Sequence, residues 1–210
     1  MSTLKIPYLK NLSSTDPIVT QQNLIGSGKR ITINQLNWAS FSYFIEVEAY
    51  IGYSDRYLWI HYRIKGEHFK AVYREDQDPV WQDSCVEFFI KQGDIYRNFE
   101  FNALGVCLSA YGENRHDRIS LDAEGLSSIL RFPTIDSNSI PDEAILADWS
   151  LSVALPLDLI GLKSGDLFLA NFYKCGDLTT NPHYLSWSPI GTETPDFHQP
   201  RYFGAAQLEE

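Results

Sequence analysis

The sequence predicts an all-β chain, an antiparallel β-sandwich of two packed sheets with about ten strands and one short helical turn. Three observations point there. Apolar and polar residues alternate with period two over short segments, and turn formers separate those segments. Aromatic residues are abundant, with 12 tyrosines, 12 phenylalanines and 5 tryptophans against a single methionine, a balance that suits pleated surfaces. No segment of useful length repeats with a helical period. There is no internal repeat and no interior linker, so residues 1–210 read as one domain.

Taken in order, residues 1–35 are mixed. Pro7, Asp16-Pro17 and Gly26-Ser27-Gly28 punctuate short apolar stretches, which predicts irregular backbone with one or two edge strands. Phe44–Tyr53 alternates cleanly, with Ile45, Val47, Ala49 and Ile51 on one face and Glu46 and Glu48 on the other. Tyr57–Ile64 repeats the pattern with Leu58, Ile60, Tyr62 and Ile64 inward, and the link Ser54-Asp55-Arg56 is hairpin-sized. Gly66–Gln77 is charged and reads as a loop or weak edge strand. Trp81–Ile90 is the central strand, Lys91–Asp94 a hairpin turn, Tyr96–Asn102 the returning strand and Val106–Tyr111 a third. Gly112–Asp142 is rich in turn formers and contains one strand, Leu126–Phe132. Ala147–Leu155 alternates again, and Pro156 opens a helical turn closed by Gly161. Leu167–Cys175 and a segment near Tyr202–Leu208 complete the set.

The formal charge of −10 repels phosphate, which argues against nucleic acid and anionic membrane as partners and favours a neutral ligand, a cation or a metal. No apolar run approaches the roughly 18–20 residues of a membrane span. The start, MSTLKIPYLK, has no apolar signal region, so the expected location is cytoplasmic, or secreted or periplasmic if a leader has been removed. Cys85, Cys107 and Cys175 are too few and too scattered for a disulfide framework and are expected as reduced thiols.

The chemistry concentrates on Asp78–Ile90. In an extended chain Trp81, Asp83, Cys85 and Glu87 share one face, and Val86, Phe88 and Ile90 share the other. A large flat ring beside carboxylates suits a polyhydroxylated ligand, because an indole covers the C–H face of a pyranose while polar groups meet its hydroxyls. Glu87 and Glu100 fall on one face of the same hairpin. Like charges in that position repel, so hydroxyl donors, a cation or a shared proton should lie between them. Asn98, Asn102 and Asn171 each offer a donor and an acceptor together, and Asn102 could equally cap a turn.

The ordered set WQDSCVEFFI (Trp81–Ile90), NFEFNALG (Asn98–Gly105), the Pro-led turn Pro156–Gly161, ANFYKC (Ala170–Cys175), SWSP (Ser186–Pro189) and PDFHQPRYFG (Pro195–Gly204) resembles the family 9 carbohydrate-binding module, over about residues 35–208. The resemblance implies a β-sandwich that binds the ends of gluco- or xylo-configured chains such as xylan or cellulose, often with structural calcium and with no required cofactor. It implies stacking of the terminal sugar between Trp81 and Trp187, with Glu87, Glu100, Asn102 and Asn171 selecting hydroxyls and no catalytic residue. Glu100 departs from the pattern, standing where relatives bound to cellulose-like sugars can carry arginine.

Each feature also has a plainer reading. The tryptophans could be core residues of a protein-interaction sandwich, as Trp59 and Trp149 are expected to be. Glu87 and Glu100 could be solvated charges, or the two carboxylates of a glycoside hydrolase-like enzyme. The five histidines show no zinc spacing, and His198 is expected as a structural loop residue. The oxygen-rich loops Glu113–Asp122 and Asp136–Asp142 are the places for calcium.

Overall fold

A computed structural model describes residues 2–12, 16–136 and 146–210. In chain order its strands are β1 (Leu4–Ile6), β2 (Lys29–Thr32), β3 (Gln35–Leu36), β4 (Glu46–Tyr53), β5 (Tyr57–His68), β6 (Cys85–Gln92) and β7 (Ile95–Asn102). They continue with β8 (Cys107–Gly112), β9 (Ile119–Ser120), β10 (Leu130–Pro133), β11 (Leu146–Pro156), β12 (Leu167–Cys175), β13 (Tyr184–Ser186) and β14 (Gly204–Leu208). Three helices accompany them: α1 (Pro17–Ser27), α2 (Ala123–Ser128) and α3 (Leu157–Ile160).

Two sheets face each other. The larger has nine strands in the order β1-β14-β12-β6-β7-β8-β9, with β13 and β3 attached beside β12, and the smaller has five in the order β10-β11-β5-β4-β2. The alternation read from the sequence is the packing pattern. Ile45, Val47, Ala49 and Ile51, then Leu58, Ile60, Tyr62 and Ile64, meet Val86, Phe88, Ile90, Phe99 and Phe101 in one continuous core between the sheets. The Gly93-Asp94 turn, with Gly93 in the left-handed region at φ 59°, sets the β6–β7 register so that Glu87 lies directly opposite Glu100.

Several expectations need correction. The strands beyond the expected ten are short edge pieces such as β3 and β9, which carry too few residues to show a period. Residues 17–27 form a helix rather than irregular backbone. The Asp16 carboxylate accepts from the Val19 N–H at 3.0 Å and Pro17 occupies the first turn, so the Asp-Pro pair is a helix start. Thr20 and Leu24 are the buried residues of that helix, a footprint too narrow to show as periodicity. Leu24 packs with Leu12, Tyr50, Trp59 and Ala154 over the outer face of the five-stranded sheet. The proposed strand Leu126–Phe132 is divided. Asp122 caps α2 through the Gly125 N–H at 2.8 Å, and β10 starts at Leu130. Trp81 belongs to a 3₁₀ turn, Val80–Gln82, and the central strand begins at Cys85. Trp59 and Trp149 are buried packing residues, as expected.

Candidate functional site

The outer face of the nine-stranded sheet is covered in part. Tyr173, Phe89 and Tyr96 rise from β12, β6 and β7 and pack under Phe197 and Phe203 of the late loop, with Tyr173 and Phe197 stacked at 4.1 Å. Where that cover stops, a cavity of about 340 Å³ opens over Glu87, Asn98 and Glu100. Trp81, Tyr184 and Phe197 supply rings to its wall, and Arg115, Arg118, Asp177 and His198 supply polar groups.

Of the residues singled out in the sequence, Trp81, Glu87, Asn98 and Glu100 are brought together here. Trp81 is 37% exposed, and its carbonyl oxygen accepts from the Asp177 N–H at 3.3 Å, which ties the two rims. The other three are elsewhere. Asn102 Oδ1 accepts from the N–H groups of Leu104 and Val106, both at 3.1 Å, so it shapes the tight turn after β7. Its amide nitrogen donates to Asp83, whose carboxylate also accepts from the N–H groups of Val72 and Tyr73. Asn171 Oδ1 accepts from Ser188 N–H at 2.8 Å and its amide donates to Ser188 O at 3.0 Å, bracing the late loop against β12. Trp187 lies edge-on to Phe172 at 5.7 Å and against Gly204, where even a methyl group would come within 2.5 Å of the indole. Its accessible side borders a different groove, beside Lys29 and Arg30.

The floor is a linked series of polar groups. The Asn98 amide donates to Glu100 Oε1 at 2.9 Å, and Arg118 donates to Asn98 Oδ1 and to Ala110 O at 3.0 Å. The Arg118 guanidinium lies 4.0 Å over the Tyr96 ring. A basic group is thus supplied to the pocket from the loop after β8, beside Glu100. Cys175 donates to Glu87 Oε1 at 3.1 Å, whereas Glu87 Oε2 and Arg118 Nε are buried with no partner.

Burial dominates the electrostatics. It holds the Glu87 carboxyl well above the usual range, with Cys175 and then Glu100 adding to the shift. It raises Glu100 to about 7 against the pull of Asn98 and Arg118, and raises Asp177 to about 6. Burial followed by Arg118 and Arg115 lowers His198 to about 4, which keeps it neutral while Nδ1 shares a hydrogen bond with Tyr96 OH at 2.9 Å. Burial therefore favours the protonated form of both floor carboxyls, and the floor offers both donors and acceptors.

Arg115, Arg118, Asp177 and Tyr184 were not found by sequence reasoning. His198 was noticed, and its loop brings it to the wall. In the loop considered for calcium, Asn114 Oδ1 accepts from the N–H groups of His116 and Asp117, and Asp122 Oδ1 accepts from Gly125 N–H. Those oxygens shape backbone and do not fit a calcium cage. The other loop, Asp136–Asp142, lies outside the described residues except for Asp136.

Comparison with known proteins agrees with this architecture. A carbohydrate-binding protein of Bacteroides uniformis, so assigned provisionally, superposes with a TM-score of 0.86 at 31% identity, covering 99% of this chain and 100% of its own. A family 9 carbohydrate-binding module of Caldicellulosiruptor kristjanssonii solved with cellotriose gives 0.61 at 12% identity, covering 99% of this chain and 94% of that one. The corresponding glucose complex gives 0.60 at 11%, covering 99% and 96%, and at such identity both show the fold alone. A search of curated proteins returns no match. The family model of carbohydrate-binding family 9 matches residues 17–208, a span that takes in α1 and the entire pocket, and the chain belongs to that family.

Proposed function

We propose that the pocket binds the end of a gluco- or xylo-type saccharide without transforming it. The observation that carries this reading is the half-exposed Trp81 indole standing beside a buried floor that presents carboxyl, amide and guanidinium groups together. Trp81 would cover the C–H face of the terminal sugar, while Glu87, Glu100, Asn98 and Arg118 meet its hydroxyls. The sandwich between Trp81 and Trp187 implied by the resemblance is replaced here by Trp81 with Tyr184 and Phe197, the other rings of the wall. The cellotriose and glucose held by the C. kristjanssonii module support this ligand class.

Titration with a panel of gluco-, xylo-, manno- and galacto-oligosaccharides, followed by tryptophan fluorescence and calorimetry, tests the reading. Trp81→Ala should weaken the best ligand by about 1–3 kcal/mol, roughly fivefold to 150-fold, while Trp187→Ala leaves affinity within about threefold. Equal losses in the two variants would refute the placement of the sugar. A second reading, glycoside hydrolysis, rests on the adjacent Glu87–Glu100 pair with its raised carboxyl pKa values. Release of reducing sugar that vanishes in Glu87→Gln would favour it.

A further inference from the structure

We propose that Cys85, Cys175 and Glu87 form a site for one thiophilic divalent cation, zinc in the first instance, in the floor of the pocket. Cys85 and Cys175 are directly opposite each other in the β6–β12 pairing. Glu87 follows two residues along β6 and therefore projects from the same face. Strand geometry alone makes the three side chains converge, and their donor atoms all lie within 4.8 Å of one another. Among the described residues this is the one cluster of three metal-ligating groups of that closeness.

The distances suit a tetrahedral ion. Zinc held at about 2.3 Å by sulfur and about 2.0–2.2 Å by a carboxylate oxygen needs donors roughly 3.4–3.8 Å apart. Glu87 Oε1 is already 3.1 Å from Cys175 Sγ, so small rotations suffice. A second observation points the same way. Glu87 is 2% exposed, yet its Oε2 has no hydrogen-bond partner. The Cys85 and Cys175 thiols meet each other and otherwise reach backbone carbonyls, at 3.7 Å for Cys85 and 3.6 Å for Cys175. Such a poorly satisfied group is costly unless something fills it. Two sulfurs and one carboxylate favour zinc or cadmium over calcium or magnesium. Glu87 and Cys175 both line the cavity, so an ion would arrive through it and keep its fourth position open on that side. Binding releases to solvent the two thiol protons and any proton held by the Glu87 carboxyl, and leaves Zn²⁺ bonded to two thiolates and a carboxylate. The saccharide reading does not depend on this site.

The test uses reduced, metal-free protein without saccharide. Titration with Cd²⁺ should give thiolate-to-metal charge-transfer absorption that saturates at one ion per chain, and Zn²⁺ should displace it in competition with a chromophoric chelator. Cys175→Ser and Cys85→Ser should each weaken binding at least about tenfold. Cys107→Ser should leave it unchanged, because Cys107 belongs to the core between the sheets. Should a serine variant fold poorly, X-ray absorption of the zinc-loaded natural protein supplies the answer through two sulfur neighbours. Oxygen and nitrogen neighbours alone, an unchanged affinity in folded Cys175→Ser, or a Cys85–Cys175 disulfide with no metal uptake after reduction would overturn the proposal.

Discussion

Lys174 and Cys175 are consecutive on β12, and they lead into two buried polar clusters on opposite faces of one sheet. On the inner face, Lys174 Nζ donates to Glu67 Oε1 at 2.8 Å, to Cys175 O at 2.7 Å and to His183 Nε2 at 2.9 Å. The Trp149 indole N–H takes the other Glu67 oxygen at 2.7 Å, and Asn181 O accepts from His183 Nδ1 at 2.8 Å. Burial and then the lysine charge push His183 down to about 2, so a neutral ring accepts from the lysine. Every polar atom there has a partner. On the outer face, Glu87 Oε2 and Arg118 Nε have none. The closed cluster belongs to the sandwich, and the open one faces a cavity and waits for something to complete it. Burial is similar in both, so satisfaction, rather than polarity, is what separates a structural cluster from a site.

The contrast can be broken most forcefully at Lys174. Lys174→Met leaves Glu67 buried without its cation and should cost about 3–5 kcal/mol in urea unfolding. A loss below about 1 kcal/mol would mean that the inner cluster contributes little to the fold. A smaller effect should come from pH. A buried carboxyl whose folded pKa is raised binds its proton more tightly folded than unfolded. The contribution from Glu100 is therefore complete below its ordinary value near 4.5 and is lost as pH rises through about 7. The melting temperature of the ligand-free protein should fall across that window. The fall should flatten in Glu100→Gln, and an equal slope in both proteins would remove Glu100 as its source.

The remaining two effects are modest. Removing the helix cap in Asp16→Ala should cost about 1 kcal/mol, read by chemical denaturation, with saccharide affinity unchanged. Least of all, Glu87→Gln should shift stability by less than about 1 kcal/mol, because burial already favours the neutral form of the carboxyl it replaces and that carboxyl is imperfectly partnered. Its effect should appear in saccharide affinity instead. A destabilisation as large as that of Lys174→Met would erase the distinction between the two clusters.

What was legible in the chain follows the same physics. Alternation identified β4, β5, β6, β7, β11 and β12 because each has one face in the core. A two-residue turn transmits register across its hairpin, so the residues of that hairpin are enough to place Glu87 and Glu100 on one face as neighbours. Trp81 was legible because it stands immediately before the central strand. Trp187 was assigned to the site because the resemblance implies a second stacking tryptophan at that position. Its backbone N–H, however, donates to Phe172 O at 2.9 Å, and the ring is turned onto Gly204. Arg118 and Asp177 come from loops whose paths are set by contacts far along the chain, and period-two patterning carries no information about such paths. The helix α1 escaped for a related reason: its capping residue was visible, but its buried stripe is two residues wide.

The pocket draws its wall from residues 81–100, 108–118, 175–184 and 195–198, four stretches that meet only when the two hairpin systems and the late loop are all in place. No single hairpin carries the cavity, which exists only when the sandwich is assembled. A ligand that occupies it engages the native state alone. Its binding free energy then adds to the stability of the entire sandwich, and saturating saccharide should slow global unfolding and raise the melting temperature in step with ligand concentration.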